Sequence, residues 1–157
     1  MINCSEEAKT MTTNERIDLV APCGIDCGTC ELNMCKDNPQ LLSYSVSRGI
    51  PEEKLPCEGC RTVKGDCPVI SSKCESYICI AQKKVDFCFE CGDFPCSKLN
   101  PAADRADILP HNLKVFNLCP IKRIGVESFI RESSQIKQKY FKGKMQIGRG
   151  PRLAIGK

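Results

Sequence analysis

Apolar residues recur at helical spacing in a few stretches of this chain. The clearest stretch covers residues 126–140, where apolar side chains three and four positions apart form one stripe and predict an amphipathic helix. A weaker stripe predicts a helix over about residues 69–84 that carries Cys74 on its apolar face, while Cys79 faces elsewhere. A break between these two cysteines is an equally good interpretation of the same pattern.

Asparagine, proline and glycine predict the ends of further helices. Asn38-Pro39 is a favourable start, because asparagine caps the helix and proline fills a first-turn position that needs no donor, and Gly49 predicts the stop. Asn100-Pro101 has the same form. The segment 110–120 predicts a helix that ends at its second proline, Pro120, whereas residues 16–21 are compatible with a short strand or one helical turn.

The conventional hydrophobic core is thin for the length of the chain. Hydrophobic residues make up 41% of the 157, but that figure includes fourteen cysteines, and there is no tryptophan. Cross-links must therefore supply part of the stability. We expect a small, irregular, metal-stabilised fold that is mostly α with cysteine-rich loops, with which short strands are compatible. The domain prediction is a flexible arm over residues 1–14, one metal-binding domain over 15–140 and a basic, glycine-rich tail over 141–157.

Twelve of the cysteines fall in two clusters and are the predicted metal ligands. Three CxxC pairs stand among them, and two intervening residues let both sulfur atoms converge on one ion. The remaining thiols, Cys4 and Cys119, are predicted to be free or packed. The twelve predicted ligands are Cys23, Cys27, Cys30, Cys35, Cys57, Cys60, Cys67, Cys74, Cys79, Cys88, Cys91 and Cys96.

Nearly all of the predicted ligands are sulfur, because the single histidine, His111, is remote from both clusters. Sulfur-rich tetrahedral sites suit zinc or iron–sulfur clusters. The CxxC pairs favour zinc, which we expect, and the spacing from Cys23 to Cys30 favours [4Fe-4S] clusters as the alternative. Spacing does not decide which thiols share a centre. One grouping joins Cys23, Cys27 and Cys30, and the other thiols share the remaining centres.

The first residues lack the apolar run of a secretory signal, which predicts a cytoplasmic protein with reduced thiols. Disulfides and thioredoxin-like redox chemistry are the alternatives to metal. The C-x3-C-x2-C spacing also occurs in radical S-adenosylmethionine enzymes, but this chain is too short for their barrel.

No catalytic motif is found, so the enzyme question stays open. Four carboxylates beside ligand cysteines are interpreted as solvated loop residues rather than as a fifth-ligand or acid–base set. They are Asp26, Glu58, Glu90 and Asp93.

Charge is distributed unevenly along the chain. Residues 1–130 carry 15 Lys+Arg and 18 Asp+Glu, whereas residues 131–157 carry 8 and 1. A basic, glycine-containing end can follow phosphates, and Phe141 could stack on a base, but a solvated tail explains the same pattern. We therefore expect an unknown protein partner, no membrane partner, and nucleic acid only as the less favoured interpretation.

Three motifs in order resemble one family. CGIDCGTC at residues 23–30, CEGC at 57–60 and CFECGDFPC at 88–96 are similar to the CGxxCxxC, CxGC and CxxCxxFPC motifs of the prokaryotic cysteine-rich family DUF3795. The resemblance covers about residues 21–99 and continues weakly to residue 130. It implies a metal-binding protein of bacteria and archaea, often anaerobes, with no settled activity. Cys35 and the basic tail lie outside the pattern.

Together these observations predict an uncharacterised metal-binding protein with two or three all-cysteine sites. Structural zinc in a binding or adaptor module is the first interpretation. An iron–sulfur protein for electron transfer, or an accessory of an anaerobic enzyme, is the alternative.

Overall fold

The computed structural model describes residues 11–99 and 113–153. Within these residues helices predominate, and one antiparallel hairpin follows them. The helices are α1 (Thr13–Asp18), α2 (Glu31–Met34), α3 (Pro39–Ser47), α4 (Glu75–Lys83), α5 (Leu113–Ile124) and α6 (Val126–Lys142), and the strands are β1 (Lys144–Gln146) and β2 (Gly150–Arg152). Short 3-10 turns lie at Cys27–Thr29, Cys35–Asp37, Glu52–Lys54, Cys88–Glu90 and Ser97–Leu99. The prediction of a mostly α chain with cysteine-rich connections is confirmed.

Helix α3 begins and ends where its capping residues predict. The side chain of Asn38 accepts hydrogen bonds from the amides of Gln40 and Leu41 at 3.0 and 3.1 Å, and Pro39 occupies the first turn. Beyond the last helical residue, Gly49 adopts φ of +85°. Glycine tolerates this left-handed conformation better than other residues, so the helix stops there.

Helix α4 is shorter than its hydrophobic pattern predicts. It starts at Glu75, directly after Cys74. The interpretation with a break between Cys74 and Cys79 is therefore closer to the structure than a single helix that carries both. The reason is a tertiary hydrogen bond. The amide of Cys74 donates to the carbonyl of Gly65 at 3.0 Å instead of to a preceding helical turn.

The predicted end of α5 at Pro120 is wrong, because the helix continues to Ile124. Proline has no N–H to donate to the carbonyl of Phe116, four residues earlier. Phe116 is 45% exposed, so water can reach this part of the helix. Gly125, with φ of +81°, then separates α5 from α6. The predicted starts at Asn100-Pro101 and after Pro110 lie outside the described residues.

The apolar stripe of α6 faces the protein interior, as predicted. Phe129 is fully buried and Ser133 nearly so, while Val126, Ile130 and Ile136 pack against the core. The helix contacts α5 and α1. The core itself is small and contains two cysteines as full members. Its residues are Val20, Ala21, Cys23, Phe87, Cys88, Leu99, Leu118, Ile121 and Phe129.

Both ends of the described chain are more ordered than predicted. The arm prediction for residues 1–14 fails at its last two positions, which begin α1 under a capping box between Thr12 and Glu15. Residues 144–152, which belong to the predicted basic, glycine-rich tail, form a hairpin. Gly148 and Gly150 have φ of +71° and +70°. Glycine adopts this left-handed conformation without steric cost, at the turn and at the start of β2. Cys4 lies outside the described residues.

Candidate thiol metal centre

The first cysteine cluster is carried by a tight loop between α1 and α2. Val20 and Asp26 form an isolated antiparallel bridge, and the amide of Cys27 donates to the carbonyl of Leu19 at 2.8 Å. The loop turns at Gly24, which has φ of +86°. Asn117 of α5 donates its side-chain amide to the carbonyl of Gly24 at 2.8 Å. The loop is therefore closed on itself and fixed to α5.

Replacing Gly24 by alanine is expected to destabilise the protein by about 2–5 kcal/mol. A left-handed φ costs an L-residue about 1–2 kcal/mol, and overpacking adds about 1–3 kcal/mol. The overlap is severe, because an added Cβ would lie 2.9 Å from Leu118 Cγ and 2.9 Å from the carbonyl oxygen of Lys114. Urea unfolding measures the change. The matched control is Gly92→Ala, where an added Cβ meets nothing within 4 Å. Equal losses in the two variants would contradict the packing argument.

Asp26 is neither a solvated loop residue nor free to act as a ligand. It is buried, its two carboxylate oxygens accept from the guanidinium of Arg16, and Oδ1 also accepts from the amide of Gly28 at 2.9 Å. A buried bidentate pair of this kind positions its loop. The interpretation of Asp26 as a surface carboxylate is therefore wrong. Glu58, Glu90 and Asp93 are exposed, as that interpretation requires.

The second CxxC pair lies against the first cluster through direct contacts. The amide of Cys57 donates to the carbonyl of Leu32 at 2.8 Å, and Asn33 donates its side-chain amide to the carbonyl of Cys57 at 2.7 Å. The amide of Cys60 points at Cys27 Sγ over 3.4 Å. An N–H donor directed at a cysteine sulfur stabilises that sulfur as a thiolate.

Backbone hydrogen bonds bring the later cysteines to the same region. The amide of Gly65 donates to the carbonyl of Cys60 at 3.0 Å, which places Gly65 where it accepts from Cys74. The amide of Cys88 donates to the carbonyl of Pro22 at 2.9 Å, directly before Cys23. Four separate segments therefore meet at one place.

Arg61 fastens two of these segments together. Its Nε donates to the carbonyl of Val20 at 2.9 Å and its Nη2 to the carbonyl of Asp86 at 3.0 Å. Its guanidinium carbon lies 5.0 Å from the ring centroid of Phe87, a cation–π distance. The structural role of Arg61 was not predicted from the sequence. An arginine that follows a CxxC pair gives no local indication of the distant groups that it contacts.

Eight cysteines of these segments form a connected group that we call the thiol array. We count two cysteines as linked when a negative charge on one sulfur raises the pKa of the other thiol. Charges on Cys30, Cys23 and Cys57 act on Cys27, and charges on Cys23, Cys27, Cys74 and Cys67 act on Cys60. The thiol array consists of Cys23, Cys27, Cys30, Cys57, Cys60, Cys67, Cys74 and Cys88.

Burial is the main influence on the protonation of the array. It raises the pKa of Cys27 and of Cys88 to about 12, from an ordinary value of 9.0, and also raises the pKa of Cys60. The charged form loses its hydration inside the protein, so the proton stays on sulfur. Without a cation these thiols are neutral at physiological pH, and a cation that binds them must displace protons.

Four of the twelve predicted ligands lie outside the array. Charges on Cys96 and Cys79 raise the pKa of Cys88, so these two extend the array at that point. Cys35 is buried, and its thiol already donates to the carbonyl of Leu32 at 3.1 Å. Cys91 is partly exposed and lies beside α4.

Cys91 takes part in a surface contact with a lysine and a carboxylate. Lys83 Nζ lies 3.0 Å from Cys91 Sγ and donates to the carboxylate of Asp93. The hydrogen bond to Asp93, and then that to Cys91, raise the pKa of Lys83. Lys83 in turn lowers the pKa of Asp93. The Asp93 charge is thus neutralised by Lys83 on the protein surface.

The chemistry of the array fits a thiophilic metal, although its geometry is not closed around a single ion. Every cysteine of the described ranges 11–99 and 113–153 is a free thiol. In those same ranges, no three His, Cys, Asp or Glu side chains converge on a point that could hold one ion. A thiolate site needs several neighbouring thiols and an N–H donor that stabilises the charged sulfur. The array supplies both, since the amide of Cys60 is directed at Cys27 Sγ. Single-ion coordination therefore requires the sulfur atoms to move closer together.

The fold and the array define a class: a small, mostly helical, cysteine-rich protein. The chain belongs to the family described as "Protein of unknown function (DUF3795)", whose family model matches residues 19–101. The resemblance of the three motifs to this family is thereby confirmed. No curated protein and no solved structure matches the chain.

Among residues 11–99 and 113–153, no helix is both long and apolar enough to span a bilayer.

Proposed function

We propose that this protein is a metal-binding module in which the thiol array forms two all-thiolate centres. The observation that carries the proposal is the meeting of eight buried or partly buried cysteines from four chain segments at one place. Cysteine is the commonest ligand of structural zinc and of iron–sulfur clusters. A third centre would take its ligands from Cys79, Cys91 and Cys96.

Electrostatic neighbours support one division of the array. In a first set of four, a charge on Cys57 raises the pKa of each of the other three, Cys27, Cys30 and Cys67. The other four, Cys23, Cys60, Cys74 and Cys88, make a second set in the same way. The CxxC pair 57/60 then contributes one cysteine to each centre and holds the two together.

Zinc is the metal that we propose first. Bound zinc would supply cross-links between the four segments, and closed coordination by four thiolates leaves no position for a substrate. The role would then be structural, in a module that binds or adapts another protein. Zinc–sulfur bonds of about 2.3 Å require the sulfur atoms to contract around each ion.

An iron–sulfur protein is the second candidate, and one observation favours it. Among the described side chains, the thiols are near enough to influence one another but not convergent on single points. A cuboidal cluster is larger than one ion and takes cysteine ligands that stand further apart. Electron transfer, or support of an anaerobic enzyme, would be its function.

Purification without oxygen followed by elemental analysis separates the two candidates. Zinc predicts a colourless protein with two or three equivalents of zinc and no iron. Iron–sulfur clusters predict a brown protein with iron and acid-labile sulfide, which loses its colour in air. Protein that contains neither metal after anaerobic preparation and reconstitution would refute the proposed function.

We propose that the partner is a protein. The hairpin formed by β1 and β2 carries several basic residues and allows a direct test of whether nucleic acid binds instead. Met145 and Ile147 are 75% and 103% exposed on it, beside Lys144 and Arg149. Exposed apolar side chains among cations suit an acidic protein surface. If nucleic acid binds and the double variant Lys144→Ser/Arg149→Ser loses that binding, nucleic acid is the partner.

Metal uptake by this protein is expected to strengthen as pH rises. The thiols of Cys27 and Cys88 keep their protons up to a pH of about 12 in the metal-free fold, whereas the bound form is deprotonated. Cys27 and Cys88 should therefore each release close to one proton when metal binds between pH 7 and 9, and these two thiols should each make the affinity rise about tenfold for each pH unit. Calorimetry in buffers of different ionisation enthalpy counts the protons. Uptake that is independent of pH would contradict thiol coordination.

A further inference from the structure

The hairpin of β1 and β2 leaves one edge of its sheet open. Within residues 11–99 and 113–153, the sheet has two strands, and no third strand pairs with the outer side of β1. Pro151 lies opposite Met145 and has no N–H, so these two residues cannot exchange the two hydrogen bonds of a bonded pair. Met145 therefore directs its own N–H and C=O away from β2, towards the open edge.

The other edge of the same sheet is closed to a further strand. The residue of β2 whose backbone points outward is Pro151, which offers no donor there. Strand β2 also lies beside the end of α6, because a Cβ added to Gly143 would lie 2.8 Å from Pro151 Cβ. An incoming strand can therefore pair with β1 but not with β2.

One face of the hairpin places two cations side by side. Lys144 and Arg152 are directly opposite each other in the ladder. Both are exposed, and neither forms an ion pair with any residue that the structure describes. Like charges in this position repel, and an anion on a neighbouring strand would relieve the repulsion. Lys142 and Arg149 add positive charge before β1 and in the turn, and residues 141–153 contain no acidic residue.

The opposite face is apolar at the open edge. Side chains alternate along a strand, so Met145 lies on the other face from Lys144 and Gln146. Met145 is 75% exposed, and its cross-strand neighbour is Pro151. A strand added along β1 would place an apolar side chain beside Met145 and an acidic one beside Lys144. A phosphate backbone fits this edge less well, because it has no N–H for the outward carbonyl of Met145.

We propose that β1 is a docking edge on which an extended acidic segment of a partner protein binds as a third strand. Main-chain hydrogen bonds at Met145 supply affinity, and the charge of Lys144 selects an acidic side chain. The inference rests on the proposed protein partner and names how that partner binds, and it does not depend on the metal centres. Pairing between two copies of β1 is disfavoured, because it would bring two basic hairpins together.

A synthetic hexapeptide of alternating glutamate and valine, with blocked ends, tests the proposal on the full chain as purified. It should bind saturably and shift the backbone amide signal of Met145 in ¹⁵N NMR. The same peptide with every backbone amide N-methylated keeps its charge but cannot pair, so it should bind at least about tenfold more weakly. A lysine–valine peptide should not bind. Absence of binding by the acidic peptide, or equal affinity for its N-methylated form, would overturn the proposal.

Two substitutions at Met145 test the location. Met145→Pro removes the outward N–H but no hydrogen bond of the hairpin ladder, so affinity for the acidic peptide should fall about tenfold. The matched control Met145→Leu keeps both the N–H and an apolar side chain and should bind as the wild-type protein does. Unchanged binding in Met145→Pro would place the peptide elsewhere. If that variant does not fold, the N-methylated peptide on the wild-type protein decides the question.

Other occupants of the edge give different results. Light scattering that shows dimers of the wild-type protein but not of Met145→Pro would make a second copy the occupant and overturn the proposal. A single-stranded oligonucleotide that displaces the acidic peptide and shifts the same Met145 signal would overturn it as well. Metal content is measured on each sample. Failure of the peptide to bind metal-loaded protein overturns this inference alone, whereas binding by metal-free protein supports it even if the proposed metal function fails.

Discussion

Removal of the proposed metal under reducing, oxygen-free conditions is expected to abolish cooperative thermal unfolding of this protein. Of the eleven buried hydrophobic residues in the described ranges 11–99 and 113–153, three are cysteines. A core this small does not offset the conformational entropy of its long loops. Structural zinc sites contribute about 10–16 kcal/mol of folding free energy in small domains.

The measurement is differential scanning calorimetry before and after treatment with a strong chelator and a reductant. Readdition of the metal should restore the transition, which separates metal loss from damage by the chelator. A metal-free protein that melts as cooperatively as the starting material would show that ordinary packing holds the fold. The proposal of structural metal centres would then be wrong.

Replacement of Cys60 by serine should weaken metal binding by about 3 kcal/mol, which lowers the metal content after dialysis against a chelator, and should lower the stability of the protein by the same amount. Cys60 has array thiols on both sides, since charges on Cys23, Cys27, Cys74 and Cys67 all raise its pKa. Loss of one ligand in four removes roughly a quarter of the free energy of a structural site, which gives the estimate of about 3 kcal/mol. Elemental analysis and urea unfolding of the purified variant measure the two effects.

Two further serine variants are the controls. Cys119→Ser changes an exposed thiol outside the array and should alter neither metal content nor stability. Cys35→Ser changes a buried thiol that bonds the carbonyl of Leu32, so it should lower stability without reducing metal content. If Cys35→Ser loses as much metal as Cys60→Ser, the array as we define it is wrong.

The elements that sequence predicted well are those with local causes. Helix α3 follows from Asn38, Pro39 and Gly49, because capping and backbone freedom act within a few residues. The inward face of α6 follows from its apolar stripe in the same way. The end of α5 was missed, because a proline stops a helix less firmly where water can reach the freed carbonyl.

The candidate site was predictable in its chemistry but not in its arrangement. Thiol spacing predicted twelve candidate ligands, whereas the meeting of eight of them depends on hydrogen bonds between distant segments, such as the one from Cys88 to Pro22. Asp26 was misjudged for the same reason, since its partner Arg16 stands ten residues away in another element. Nothing in the sequence indicated that Asn117 contacts the first cysteine loop, because that contact depends on tertiary packing.

The sequence by itself determined that this chain is mostly helical, rich in cysteine and a member of one family. Those conclusions depend on residue types and short spacings, which are local. Only the tertiary structure decided which eight thiols meet, that Asp26 is buried against Arg16, and that Asn117 joins α5 to the first cysteine loop. These are contacts between residues far apart in the chain, and their energies depend on burial that no single segment encodes.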